Sequence, residues 1–172
     1  MTADGAVHSL SFRIIQYQAL TEIIIAEIAW SATKSAGAAT IMLLVLGLMG
    51  FIHFPMGLLL IPMAFFGGLA FGAIGMFFTG ITPTIDMFNL PIFLFITPMF
   101  LFSGTFFPVS NLPAWAQPVA LAFPLYHLAE LARLFSIGTC EVSPLISIGY
   151  LTVFIIFFTF LALIAMRKRL IQ

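Results

Sequence analysis

The stretch TPMFLFSGTFFPVSNLPAWAQPVALAFPLYHLAELARLFSIG, residues 97–138, is where the chain changes from an apolar run to short amphipathic segments. The apolar run breaks at Ser103-Gly104-Thr105, and two segments follow at residues 112–123 and 124–137. Pro124 suits the first turn of a helix, because its missing N–H would be unpaired there anyway. Neither segment reaches the roughly 20 apolar residues that a membrane-spanning helix needs. The stretch therefore predicts an apolar span that leads into two short helices.

The second short segment has two distinct faces. At 100° per residue, Leu125, Leu128, Leu131, Ala132 and Phe135 gather on one side, and Tyr126, His127, Glu130 and Arg133 gather on the other. The pattern predicts that the apolar face packs against the spans and that the polar face turns towards water. Because backbone groups cannot face lipid unpaired, we expect the two helices to dip into the outer leaflet as a broken re-entrant pair.

Composition sets the class of protein. The chain is 62% hydrophobic and only 7% charged, whereas soluble domains carry about 25% charged residues. These numbers predict an integral membrane protein in contact with lipid. The net charge of zero argues against nucleic acid as a partner. A single cysteine, Cys140, allows no intramolecular disulfide and gives no zinc pattern.

Apolar runs between charged residues predict an all-α protein with four transmembrane helices. The expected spans are residues 35–52, 57–79, 87–102 and 145–166. Pro91 and Pro98 predict kinks in the third span, because each proline removes a backbone hydrogen bond. Residues 1–34 are expected to form a cytoplasmic segment with an interfacial helix from Tyr17, and residues 167–172 a basic tail.

Basic residues predict the orientation of these spans. Arg167, Lys168 and Arg169 follow the last span and should be cytoplasmic by the positive-inside rule. Four spans return the N-terminus to the same side, and the stretch from about residue 104 to 144 then lies outside. Ala64, Gly68 and Gly72 lie four residues apart in the second span, a spacing that lets another helix approach closely. The partner helix belongs either to the same chain or to a second subunit.

Candidate chemistry is sparse. The chain lacks a Gly-rich loop with a lysine that could cradle ATP phosphates, so no catalytic site, cofactor or metal is expected. His127 and Glu130 share one helical face and could take a proton or a metal, but two ligands without a third make a poor site. The alternative is a polar face satisfied by water and a Glu130–Arg133 pair. Trp115 is either an interface anchor or a surface for substrate stacking.

The sequence FLFSGTFFPVSNLPAWAQPVALAFPLYHLAELAR resembles a defining region of the permease subunits of type-2 ATP-binding-cassette (ABC) exporters. It is most similar to the nodulation-protein-J-like branch, which exports lipo-oligosaccharides and polysaccharides. The matching positions are Ser103, Gly104, Phe107, Pro108, Leu112, Pro113, Pro124, Leu125, His127, Glu130 and Arg133. The stretch ALTEIIIAEIAWSATKSA also resembles the segment that follows the cytoplasmic coupling helix of that family.

The resemblance implies a transport subunit of the bacterial inner membrane, with both termini cytoplasmic, that works as a homodimer or heterodimer with a separate ATPase subunit. A lipid-linked or amphipathic saccharide is the implied substrate; a drug or hydrophobic peptide, or a membrane remnant that transports nothing, are the alternatives. The implied ATPase-coupling residues are Tyr17, Leu20, Thr21, Glu22 and Glu27. The implied outer gate comprises Pro108, Pro113, Trp115, Pro124, Tyr126, His127, Glu130 and Arg133. Members of the family usually have six spans, so four suggest a truncated permease without the first two.

Overall fold

The computed structural model describes residues 3–51, 56–106, 109–138 and 142–170, which form helices and turns and no strand. The helices are α1 (Ala3–Leu48), α2 (Leu60–Ile81), α3 (Asp86–Phe102), α4 (Ala116–Leu121), α5 (Pro124–Ile137) and α6 (Pro144–Leu170). Short 3₁₀ turns lie at Met56–Leu59, Ile85–Phe88 and Val109–Asn111. The all-α prediction is confirmed; the turn expected at residues 53–55 lies outside the described residues.

α1 is one continuous helix of 46 residues. The interfacial segment from Tyr17 and the span expected from residue 35 therefore belong to this one helix. The hydroxyls of Thr33 and Thr40 donate to the carbonyls of Ala29 and Ala36, four residues earlier, so the polar side chains are satisfied without breaking the helix. The part of α1 with the length and composition of a membrane span is Gln18–Leu48.

Among the described residues, three helices, rather than the four expected, are long and apolar enough to cross a membrane: Gln18–Leu48, Met56–Ile81 and Pro144–Arg169. α3, which was expected to be the third span, is a shorter apolar helix. Between Pro91 and Pro98 it adopts a π-helical turn, Ile92–Ile96, because these prolines cannot donate to a regular α-helical ladder. The two prolines thus flank an irregular turn of the helix, and the kinks expected at Pro91 and Pro98 stay a prediction.

α2 lies between α1 and α6 and packs on both. A Cβ atom added to Gly68 would lie 2.5 Å from the Cα atom of Ala32, and one added to Gly72 would lie 2.5 Å from the Oγ atom of Ser31. The Ser31 hydroxyl also donates to the Gly68 carbonyl over 2.7 Å. These two glycines therefore let α1 of the same chain approach α2, which is one of the two arrangements left open by the sequence. Ala64 lies beside them in a cleft between α1 and α2.

The end of α6 meets the end of α2 and the early part of α1. Arg167 Nη2 donates to Thr21 Oγ1 over 3.2 Å, and Arg169 donates to the carbonyls of Thr79 and Pro83. We call this the basic end of the bundle. It brings together three segments that the charge pattern had assigned to one side of the membrane.

Candidate functional site

α5 lies against α2 and α6, near the end of the bundle opposite the basic end. It starts at Pro124 and stops at Gly138, whose φ of 74° is the left-handed conformation that ends many helices. The range matches the segment expected from the sequence. Leu128 and Leu131 are buried with Leu151 of α6, and the Leu128 side chain lies 3.3 Å from where a Cβ on Gly67 would be. The apolar face of α5 is therefore packed as expected.

The polar face of α5 is also buried, so the prediction that it turns towards water was wrong. Tyr126 is 3% exposed, His127 is 4% exposed and Glu130 is fully buried. The reason is that three other parts of the chain cover this face: the turn after α3, the residues that precede Pro124, and the start of α6. Each of them supplies hydrogen-bonding groups, and no buried side-chain N or O atom of the described residues lacks a partner.

Arg133 ties α5 to the turn that ends α3. Its Nη1 atom donates to Glu130 Oε1 over 2.6 Å, and its Nη2 atom donates to the Gly104 carbonyl. Gly104 has a φ of 73°, a conformation open to glycine, and so presents its carbonyl in a tight turn. The turn is closed by Ser103, which donates to the Phe100 carbonyl over 2.8 Å and lies 2.6 Å from Thr105 Oγ1. The buried carboxylate is thus matched by a guanidinium that also holds a neighbouring segment.

His127 ties α5 to the chain before it and to α6. Its Nε2 atom lies 3.0 Å from the Leu121 carbonyl, which can only accept, so this nitrogen carries the hydrogen. In the neutral ring Nδ1 then accepts from the Ser147 hydroxyl, 3.2 Å away. The ring also stacks on Tyr150, with centroids 4.2 Å apart, and Tyr150 donates to the Ala122 carbonyl. Burial lowers the pKa of His127, against smaller opposing effects from the Leu121 carbonyl and from Glu130.

These groups form one arrangement that we call the polar assembly: Ser103, Gly104, His127, Glu130, Arg133, Ser147 and Tyr150. It joins the end of α3, the polar face of α5 and the start of α6. Sequence reasoning missed Ser147 and Tyr150, although two polar residues three positions apart near the start of a largely apolar span are a usable signal.

The remaining residues predicted for the outer gate are dispersed. Pro113 and Trp115 are exposed, and Trp115 is 68% exposed, before α4. Tyr126 packs with Val109 and Ala120, and its ring also lies edge-on to that of His127, with centroids 5.4 Å apart. Pro124 is buried at the first turn of α5. Pro108 lies outside the described residues.

The residues predicted for ATPase coupling lie on α1 towards the basic end. Glu22 and Glu27 are exposed, whereas Leu20 packs against the buried cluster of Ile24, Ile28 and Ala73. Thr21 accepts the hydrogen bond from Arg167. Tyr17 lies within α1. The described residues contain no group of three or more His, Cys, Asp or Glu side chains that could hold a metal ion.

Comparison with known proteins places the chain in a class. Residues 11–137 match the ABC2_membrane family, described as ABC-2 type transporter. The chain therefore belongs to this family, and it is a multi-pass bacterial membrane protein.

Three relatives share the name nodulation protein J. That of Rhizobium leguminosarum bv. viciae is 34% identical over 158 residues, which cover 91% of this chain and 61% of the relative. That of Sinorhizobium fredii is 35% identical over 153 residues, covering 89% and 58%. That of Rhizobium meliloti is 33% identical over 149 residues, covering 87% and 57%. The chain thus spans about three fifths of the length of these relatives. No solved structure shows a significant match.

Proposed function

We propose that the chain acts in an ABC exporter that moves a lipid-linked or amphipathic saccharide outward across the bacterial inner membrane, powered by ATP hydrolysis in a separate subunit. The observation that carries the proposal is the polar assembly. Five residues of the stretch that resembles exporter permeases meet there, although Ser103 and Arg133 are 30 positions apart. The similarity to proteins named nodulation protein J also supports this proposal.

In this proposal α5 is the movable cover of the outer end of the pathway. Its polar face is held to neighbouring segments by the bond from Arg133 to the Gly104 carbonyl and by the bonds of His127 to the Leu121 carbonyl and to Ser147. A neutral hydrogen bond contributes about 0.5–1.5 kcal/mol net and one from a charged group about 1.5–3 kcal/mol, because the freed groups can bond to water or to another ligand. An emerging sugar offers hydroxyl groups of the same kind. Sugar hydroxyls can thus replace these bonds one by one while α5 moves aside. The Arg133 guanidinium then keeps a hydrogen-bond partner throughout.

The free energy of ATP hydrolysis in the partner subunit would be transmitted to this chain at the basic end. Glu22 and Glu27 are exposed carboxylates on α1 and are proposed to contact the ATPase subunit on the cytoplasmic side. The bond between Thr21 and Arg167 joins that region to the end of α6. The start of α6 in turn contacts His127 through Ser147 and Tyr150. α6 would therefore connect the docking region with the cover.

Reconstitution with the ATPase subunit tests the transport proposal. Proteoliposomes carrying both subunits should move a fluorescent lipid-linked oligosaccharide outward in the presence of ATP, as measured by an impermeant quencher. Movement of a hydrophobic drug or peptide instead of the oligosaccharide would favour that alternative substrate. ATP-dependent movement of neither would refute the export proposal for this chain.

Co-purification tests the docking region separately. Changing Glu22 and Glu27 to lysine should weaken association with the ATPase subunit, because attraction to a basic surface becomes repulsion. Ile137→Lys, which adds a positive charge at an exposed site at the end of α5, is the matched control and should leave association unchanged. If the double variant co-purifies as well as the control, the docking surface lies elsewhere.

A further inference from the structure

An open cleft of about 460 Å³ lies at the basic end, between the last turns of α2 and α6. Its lining residues are Gly80, Ile81, Thr82, Pro83, Ala165, Lys168 and Arg169. Gly80 lets the two helices touch, since a Cβ there would lie 2.7 Å from the Ala165 Cβ atom. α2 then ends at Ile81 while α6 continues to Leu170, and the cleft is the space left beside the last turn of α6. The volume is within the range of about 300–1,000 Å³ that is usual for small-molecule sites.

The cleft is positively charged and partly preorganised. Arg169 donates to the carbonyls of Thr79 and Pro83, which fixes the guanidinium at the wall of the cleft. A guanidinium has five N–H donors, so donors remain for a ligand after these two bonds. Lys168 is exposed and adds an ammonium group with three donors. Within the described part of the chain, neither cation forms an ion pair with a carboxylate.

An apolar stripe leads along α6 to this cleft. Ile156, Phe160 and Ile164 are four residues apart, and they are 65%, 60% and 47% exposed. Lys168 is the next position in the same four-residue series and lines the cleft. Residues four apart share one face of a helix, so the stripe ends at the ammonium group. Because α6 has the composition of a membrane span up to Arg169, the cleft lies where hydrocarbon gives way to headgroups.

We infer that this cleft binds the phosphate of an anionic membrane phospholipid, whose acyl chain lies along the stripe of Ile156, Phe160 and Ile164. A phosphate oxygen accepts hydrogen bonds from the remaining N–H groups of Arg169 and from Lys168, the geometry for which arginine is well suited. Binding of this lipid is separate from transport and does not depend on the transported substrate. It requires both halves of the site, the cationic cleft and the apolar stripe.

Lipid binding to the purified full chain tests the inference. Native mass spectrometry should show tighter binding of phosphatidylglycerol than of phosphatidylcholine with the same acyl chains. The double variant Lys168→Gln and Arg169→Gln should lower the affinity for phosphatidylglycerol about 30-fold, since each cation near a lipid surface contributes about 1 kcal/mol, or roughly fivefold. Lys168→Gln alone, at an exposed side chain, should cost about fivefold without affecting the fold. Lys34→Gln removes a cation from the middle of α1 and should have no effect.

Two further experiments distinguish lipid binding in the cleft from non-specific attraction to the positive charge and from binding of free phosphate. Ile81→Trp fills the cleft from its exposed rim and keeps every charge, so it should weaken phosphatidylglycerol binding as much as Lys168→Gln does. Inorganic phosphate in tenfold excess over the lipid should not displace it, because the acyl chain also contributes. Unchanged binding by Ile81→Trp, equal affinity for the two lipids, or full displacement by phosphate would each overturn the inference.

Discussion

Disrupting the ion pair of Glu130 and Arg133 should lower the free energy of unfolding more than disrupting any other part of the polar assembly. The Glu130 carboxylate is fully buried, and Arg133 Nη1 lies 2.6 Å from its Oε1 atom. Replacing Arg133 by methionine keeps much of the side-chain volume but takes away the guanidinium. Removing one partner of a buried pair costs about 3–5 kcal/mol, because the remaining charge has been taken out of water without its counterion. Since the Arg133 side chain is 30% exposed, we expect the lower part of that range, about 3 kcal/mol.

A double-mutant cycle identifies the origin of the loss. The free energy of unfolding would be measured in mixed micelles by titration with a denaturing detergent, for Arg133→Met, Glu130→Leu and the double variant. The double variant should be more stable than Arg133→Met, because it no longer holds a buried carboxylate that lacks the guanidinium. Lys34→Met, at an exposed cation, should cost less than about 1 kcal/mol. A loss for Arg133→Met no larger than that of Lys34→Met, or strict additivity of the two single losses, would refute the reasoning.

Two other measurements follow from the packing and from the buried histidine. Thermal unfolding of the detergent-solubilised chain should show that Gly68→Ala destabilises it by about 1–3 kcal/mol, because the new methyl group overlaps α1. Gly75→Ala, with open space around it, should be neutral or slightly stabilising in the same assay. Because burial lowers the pKa of His127, the folded state favours the neutral ring, so stability should be constant above the ordinary value of 6.5 and fall as the pH drops below it. His127→Gln should flatten that acid-side decline; an equally steep decline would assign it to other groups.

The bounds of α5 and its apolar face could be predicted because they depend on local chemistry. Pro124 fits only the start of a helix, Gly138 ends it, and the leucines repeat at helical spacing. The environment of the polar face could not be predicted in the same way. The group that Arg133 binds besides Glu130 is the carbonyl of Gly104, 29 residues earlier. Periodicity separates two faces of a helix but does not say what covers each of them.

The length of α1 is a second feature that could not be predicted from the sequence. Lys34 is the last charged residue before a long apolar run, so the first span was expected to start at residue 35. A helix ends where its backbone is interrupted, and the first such point is Gly50, with a φ of 76°. Composition therefore indicates where a helix can meet lipid, whereas glycine and proline indicate where it stops. In α3 the second kind of signal was present, and Pro91 and Pro98 flank the π-helical turn.

α6 connects the proposed docking region with the proposed cover and constrains how that cover would move. Its 26 residues of spanning composition extend about 39 Å at 1.5 Å per residue. At its start, Ser147 and Tyr150 hold α5 and the chain before it by single hydrogen bonds. At its other end, Ala165 is packed directly on the backbone of α2 at Gly80. Single hydrogen bonds exchange readily with other partners, whereas a close-packed contact cannot separate without opening a void. The proposed movement of α5 would therefore begin at Ser147 and Tyr150, with the contact at Gly80 kept closed.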